Sequence, residues 1–226
     1  MSYQRKEVIG NATLYLGDAA ECLRMLAEAV AVLTDPPFGI SYQSGFRTDT
    51  LWSGDAIQGD NSTALRDYVL ARLAPRPTLA FGSWKAPRPQ GTRAVLTWDK
   101  GPGLGMGALD IPWKPSTEEI YVLGKGFAGT RDKGAVVYHP PVQPTAANGR
   151  QHPNEKPVGL LQKLLQSLPD GLICDPFMGS GSTGVACVSA ERGFVGAEID
   201  ERYFDIACRR IEDAQRQGNL FAGDPA

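Results

Sequence analysis

Two stretches of this chain combine an acidic side chain with a rigid turn in a way that can do chemistry. The first is Asp35-Pro36-Pro37-Phe38. Two consecutive prolines fix the backbone and delete two N–H donors, so nearby carbonyls become acceptors on a rigid support. With the Asp35 carboxylate the site offers acceptors only, beside a flat ring. That combination suits an exocyclic amine held against an aromatic face. The second stretch is Asp175-Pro176-Phe177-Met178-Gly179-Ser180-Gly181-Ser182-Thr183-Gly184. Its glycines fit G-x-G-x-x-G, the spacing that lets a backbone turn tightly and approach a ligand. No Lys follows the last glycine, which excludes a phosphate-binding P-loop. About twenty residues beyond the first glycines, Glu198 and Asp200 stand where an acid can bind ribose hydroxyls. The pattern is that of a nucleoside-cofactor pocket.

Both stretches need strands to present them. Val30-Ala31-Val32-Leu33 is an unbroken apolar run of the kind buried on both faces of a parallel sheet, and it delivers Asp35. Leu172-Ile173-Cys174 delivers Asp175, and Phe194-Val195-Gly196-Ala197 delivers Glu198. Further strands are expected at Ala12–Leu16, Thr78–Phe81, Arg93–Trp98 and Glu119–Leu123. Helices are expected over Ala19–Glu28, Leu65–Leu73, Ser182–Ala190 and Glu201–Gln217. Another follows Pro157, with Leu160, Leu161, Leu164, Leu165 and Leu168 as a core-facing stripe. Strands alternating with helices predict an α/β fold, a doubly wound and mostly parallel seven-stranded sheet. The expected unit is one domain over residues 1–226, with a polar loop at 39–61 beside the first motif and an irregular stretch at 124–150.

Composition narrows the function classes. No run approaches the ~18 apolar residues of a membrane span, and Met1–Glu7 lacks the apolar core of a signal peptide; a cytoplasmic protein is expected. Cys22, Cys174, Cys187 and Cys208 are scattered in apolar stretches without metal-ligand spacing. With His139 and His152 the only histidines, no metal is expected. The net charge is −2, but residues 72–133 carry ten Lys/Arg against five Asp/Glu. That basic middle is either a solvated face or a phosphate-tracking surface.

Together the motifs resemble the amino-methyltransferases of DNA, which methylate adenine N6 or cytosine N4 using S-adenosyl-L-methionine. Asp35-Pro36-Pro37-Phe38 looks like that family's catalytic tetrapeptide and Asp175 to Gly181 like its cofactor loop. His152-Pro153-Asn154-Glu155-Lys156-Pro157 is similar to the family's H-P-x-x-K-P element, and Leu16-Gly17-Asp18-Ala19 matches a recurrent segment. The catalytic motif precedes the cofactor motif, as in the permuted beta subgroup. The resemblance covers residues 12–215, more loosely between 39 and 150. It implies a Rossmann-like methyltransferase fold and double-stranded DNA as partner, in a bacterial or phage-encoded enzyme. Homodimerisation is left open.

By that resemblance Asp35 and the Pro36 carbonyl accept the amine hydrogens, with Pro37 stiffening the turn and Phe38 stacking on a flipped base. Glu198, with Asp200 as second choice, takes the ribose hydroxyls. Gly179, Ser180 and Gly181 form the close-approach loop, while Asp175, Pro176 and Phe177 flank the methionine portion. Lys156 is expected on the cofactor carboxylate, and Asp18 either on the adenine ring or as a helix cap. Arg47, Lys85, Arg88, Arg93, Lys100, Lys114, Lys125, Arg131 and Lys133 are candidate phosphate contacts, and Trp52 a candidate wedge. Segment 124–150 is the candidate target-recognition insertion. Adenine N6 is the expected target, because cytosine-N4 members more often carry Ser at the position of Asp35. The rival readings are a dinucleotide-dependent oxidoreductase, which leaves Asp35-Pro36-Pro37-Phe38 unexplained, and a nucleic-acid-binding protein with a vestigial site.

Overall fold

A computed structural model describes residues 3–39, 62–102, 110–142 and 155–222, with side chains described as far as 217. The chain opens with an antiparallel pair, β1 (Arg5–Ile9) and β2 (Ala12–Leu16), followed by α1 (Ala19–Leu26) and β3 (Ala31–Thr34). Next come α2 (Ala64–Leu73), β4 (Thr78–Gly82), β5 (Ala94–Asp99), β6 (Thr117–Leu123) and β7 (Val136–Tyr138). The last third is α3 (Val158–Leu165), β8 (Ile173–Asp175), α4 (Ser182–Ser189), β9 (Phe194–Glu198) and α5 (Glu201–Ala222).

Among the described residues the strands form one sheet in the order β1-β2-β9-β8-β3-β4-β6-β5-β7. Strands β2, β9, β8, β3 and β4 run parallel, β6 runs against β4 and β5, and β7 is parallel to β5. All seven expected strands are present. The expected count of seven is corrected to nine by the two edge strands, whose sequences hide them. In β1, Arg-Lys-Glu-Val-Ile alternates between half-buried and exposed positions, and β7 is three residues long with its first and last exposed. β1 lacks the fully apolar run that marks an interior strand, and β7, although apolar, is too short to show one.

The sheet is covered on both faces. Ala31 and Leu33 of β3 join the cluster under Leu160, Leu161, Leu164 and Leu165 of α3, Ala186 and Cys187 of α4, and Phe204, Ala207 and Ile211 of α5. Val32, between them, points the other way into the cluster with Cys22 and Leu26 of α1 and Val69 and Leu73 of α2. An eight-residue helix such as α3 is marginal alone. Burying four leucines at ~1.5–3 kcal/mol each holds it in place.

This winding brings the carboxyl ends of β2, β9, β8, β3, β4, β5 and β7 to one edge, together with the amino end of β6. Both chemical motifs lie on that edge, where open α/β sheets bind ligands.

Candidate active site

Thr34, the last residue of β3, is buried and donates its hydroxyl to Asp175 Oδ1 at 2.7 Å. Asp35 follows, with 24% of its side chain exposed. Its Oδ2 accepts from Lys156 Nζ at 2.7 Å. Its Oδ1 is buried and has no hydrogen-bond partner among the described residues. Pro36 is buried, Pro37 half-buried, and the half-buried Phe38 ring packs against the larger core cluster. The motif therefore presents one unpartnered carboxylate oxygen and, three residues on, a half-buried ring.

Lys156, 6% exposed, sits between two acids: Asp35 Oδ2 on one side and Glu118 Oε1 at 2.9 Å on the other. Glu118 Oε2 in turn meets Lys100 Nζ at 2.8 Å. Burial works against the Lys156 ammonium, but the two carboxylates more than offset it and carry its pKa up to about 12. Burial also opposes charge on Glu118, and the ammoniums of Lys156 and Lys100 overcome it, holding that group below its ordinary value. Asp35 goes the other way. Burial raises it to about 6, because its single cation is set against the nearby Glu118 and Asp175 charges.

The lysine's position bears on two expectations. Lys156, expected on the cofactor carboxylate, is paired with Asp35 and Glu118. Lys100, a candidate phosphate contact, is paired with the buried Glu118. Glu118 escaped the sequence reading because Thr117-Glu118-Glu119 looks like ordinary strand polarity; a lysine four residues ahead of a leucine stripe was the only hint that an acid had to be near.

In the second motif Asp175 is 2% exposed. Besides the Thr34 bond, its Oδ1 accepts from the Phe177 N–H at 3.1 Å, and burial pushes it up to about 6. It braces the turn from inside. Pro176 is buried, and Phe177 packs toward the α1 and α2 face. The Gly179 N–H donates to Glu198 Oε2 at 2.9 Å, and the Asp200 N–H to Glu198 Oε1 at 2.8 Å. Glu198 thus ties the glycine turn to the end of β9, and burial raises its pKa to about 7.

The glycines do different jobs. Gly179 has φ +51° and nothing within 4 Å of where a Cβ would stand, which leaves open space over the turn. Gly181, at φ +81°, caps α4, and a Cβ there would come 2.8 Å from Ala207 Cβ; α5 packs directly on it. Ser180 is turned inward, its carbonyl and Oγ accepting from Arg210 Nη1 at 2.8 and 2.9 Å. Arg210 also binds Glu155, a clamp from α5 onto the loop that the sequence reading missed.

Asp18 is the N-cap of α1, with Oδ1 accepting from the Ala20 N–H at 2.8 Å. It remains beside the pocket, since the Gly17 N–H donates to the Glu198 carbonyl at 2.8 Å. Asp200 is the first-turn anchor of α5, with both oxygens on Arg202, which holds its pKa below the usual value. Of the two ribose candidates, Glu198 is the one that faces the glycine turn.

The basic candidates divide by edge. Lys85 and Arg88 follow β4, and Lys114 precedes β6, all on the motif edge; Arg88 is paired with Glu119 at 2.7 Å. Because β6 runs backwards, it carries the chain to the opposite edge. There the Lys125 N–H bonds the Pro75 carbonyl, Lys133 reaches Ser167, and Arg93 donates to the Gly124 carbonyl. Arg131 lies on the exposed chain between Lys125 and Lys133. These four stand away from the motifs. The described part of 124–150 is laid on the domain, with Phe127 against the core and β7 on the sheet edge. Arg47, Trp52 and His152–Asn154 lie outside the described residues. Trp84 and Trp113, 78% and 76% exposed, stand on the motif edge and were missed; the signal was a Trp-Lys pair beside proline, in Trp84-Lys85-Ala86-Pro87 and Pro112-Trp113-Lys114-Pro115.

Among the described residues no group of His, Cys, Asp and Glu could hold a metal ion, and no helix is long and apolar enough to cross a membrane.

This strand order, with ligand turns at the carboxyl edge, defines a Rossmann-like methyltransferase fold. The crystal structure of the cytosine-N4-specific PvuII DNA methyltransferase is similar with a TM-score of 0.66 at 15% identity, covering 99% of this chain and 98% of that one. The M1.HpyAVI–SAM complex is similar with a TM-score of 0.60 at 21% identity, covering 88% and 98%. In sequence, the YubD protein of Escherichia coli (strain K12), whose designation as a methylase is provisional, is 28% identical over 214 residues, 87% of this chain and 89% of that protein. The N6/N4 family model described as "DNA methylase" matches residues 112–209. The resemblance drawn from the motifs is borne out: over residues 112–209 the chain matches the N6/N4 amino-methyltransferases of DNA.

Proposed function

We propose that this protein transfers a methyl group from S-adenosylmethionine to the N6 amine of adenine in double-stranded DNA. The observation that carries the reading is Asp35 Oδ1, a buried carboxylate oxygen without a partner among the described residues. A buried acceptor left empty costs roughly 1–3 kcal/mol, and a substrate amine fills it.

The pocket fits the cofactor's nucleoside end. Gly179 leaves open space above the turn, and Glu198 places a carboxylate next to it. Glu198 would take the ribose hydroxyls, with Asp18 beside the base. When bound, the cofactor supplies a methyl group already activated on sulfur. The chain's own contribution is alignment and acceptor electrostatics.

The target amine lies inside a stacked duplex, so the base must be turned out. Phe38 stacks on it, a contact worth ~1–3 kcal/mol. Asp35 Oδ1 accepts one amine hydrogen and the Pro36 carbonyl the other, which turns the nitrogen lone pair out of conjugation with the ring. After methylation the nitrogen carries one proton too many, and Asp35 Oδ1 is the base placed to take it. The site asks for no covalent intermediate. Buried Cys174 beside it is raised well above a reactive thiol's pKa by burial.

The cytosine-N4 specificity of the PvuII neighbour makes N4 of cytosine the second reading. Nucleoside mass spectrometry decides, on DNA from a host without its own methylases. N6-methyladenine with wild type and not with Asp35→Ala supports the proposal. N4-methylcytosine changes the base, and neither product removes DNA as the substrate.

A further inference from the structure

The charges around Lys156 extend beyond a pair. Lys100 Nζ lies 2.8 Å from Glu118 Oε2, Glu118 Oε1 2.9 Å from Lys156 Nζ, and Lys156 Nζ 2.7 Å from Asp35 Oδ2. The four groups come from the turn after β5, from β6, from the approach to α3 and from the end of β3. Their signs alternate and sum to zero, the arrangement in which charges can leave water without one remaining uncompensated. Side-chain exposure falls inward, from 24% at Lys100 through 14% at Glu118 to 6% at Lys156.

A lysine facing Asp35 alone has a four-carbon stem and three donors free to turn. It would pair with either carboxylate oxygen, and an ammonium on Oδ1 would block the acceptor. Glu118 restricts that freedom by drawing Nζ to within 2.9 Å of its Oε1, with Nζ 5.6 and 4.9 Å from the ring centres of Phe38 and Phe81. We propose that Glu118 is a positioning residue for methyl transfer: through Lys156 it fixes Asp35 Oδ2, so that Oδ1 alone faces the substrate amine, while Lys100 holds Glu118 from the solvent side. The inference rests on the reading of Asp35 as amine acceptor. Its neighbour Glu119 has a different task, pairing with Arg88.

Lys156 attracts the Asp35 charge, while Glu118 and Asp175 repel it. Neutralising Glu118 therefore has two separable effects. Lys156 loosens, which lowers the transfer rate, and a like charge disappears, which makes Asp35 more acidic.

The test uses the full chain with Glu118→Gln and, as a second variant, Lys100→Met. Three quantities are read: single-turnover methyl transfer to duplex DNA from about pH 5 to 9, cofactor Kd by calorimetry, and the Asp35 midpoint by carboxyl carbon NMR. For Glu118→Gln the plateau rate falls roughly 10- to 100-fold, the cofactor Kd stays unchanged, and the Asp35 midpoint moves to lower pH. Lys100→Met, which leaves Glu118 charged but unheld, lowers the plateau rate less, leaves the cofactor Kd unchanged and moves the Asp35 midpoint to higher pH instead; it carries the test should Glu118→Gln not fold. An unmoved rate with an unmoved midpoint overturns the proposal, as does a matching loss of cofactor affinity. A wild type that transfers no methyl group overturns instead the reading of Asp35 on which the proposal rests.

Discussion

The Thr34 hydroxyl donates to Asp175 Oδ1 across 2.7 Å, so the strand that ends in the acceptor motif and the strand that opens the glycine turn share a side-chain bond at the sheet edge. Neither position would do this alone. Thr34 is fixed by the β3–β4 ladder, where it pairs with Ala80, and Asp175 by β9, where it pairs with Gly196.

Thr34→Val removes the donor and keeps the shape. Asp175 keeps the Phe177 N–H but loses a partner in a buried setting, so stability should fall by about 1–3 kcal/mol. Urea unfolding measures this. Because the bond joins the two motifs, cofactor affinity and transfer rate should both decline, whereas a variant acting through one motif alone would separate them.

Glu198 gives a pH dependence of definite sign. Its pKa, about 7 when folded, exceeds its unfolded value of about 4.3, so its stabilising contribution is present at low pH and lost as pH rises toward 7. Glu198→Gln should therefore become progressively more stable relative to wild type between pH 5 and 8, read as a Tm difference. Cofactor binding prefers the ionised acceptor, so wild-type affinity should rise through about pH 7, and Glu198→Gln should bind more weakly with a flatter profile.

Two glycine variants should part company. Gly181→Ala drives a Cβ to 2.8 Å from Ala207 Cβ and adds left-handed strain of roughly 1–2 kcal/mol, so it should lower Tm markedly. Gly179→Ala carries only the backbone strain, since the space is open. Its main effect should be on cofactor Kd, measured by calorimetry.

The basic residues predict a polarity of DNA binding. Trp84→Ala and Lys85→Ala, on the motif edge, should weaken duplex binding in a fluorescence assay. Lys125→Ala and Lys133→Ala, on the far edge, should leave it unchanged.

What the sequence made legible was what local pattern controls. The unbroken apolar run before Asp35 had to be an interior strand. The leucine stripe after Pro157 had to be core, and the glycine spacing had to be a ligand turn. Long-range pairing was not legible. No local signal says that Lys156 meets Glu118 and Asp35, or that Arg210 clamps Ser180 to Glu155, because each pair is made by strand order. The same blindness misplaced Lys125, Arg131 and Lys133: their local basic character was right, but the reversal of β6 carried them to the wrong edge. Edge strand β1 was missed because half of an edge strand faces water and carries polar residues, and β7 because three residues are too few to show a period.

The account turns on Asp35 Oδ1 accepting a hydrogen of the substrate amine. The most direct test measures methyl transfer to duplex DNA and cofactor affinity on the same preparations of wild type and Asp35→Ala. The account predicts that transfer falls by about 10²- to 10⁴-fold while cofactor Kd is unchanged. Transfer at the wild-type rate, or loss of cofactor binding together with transfer, would contradict it.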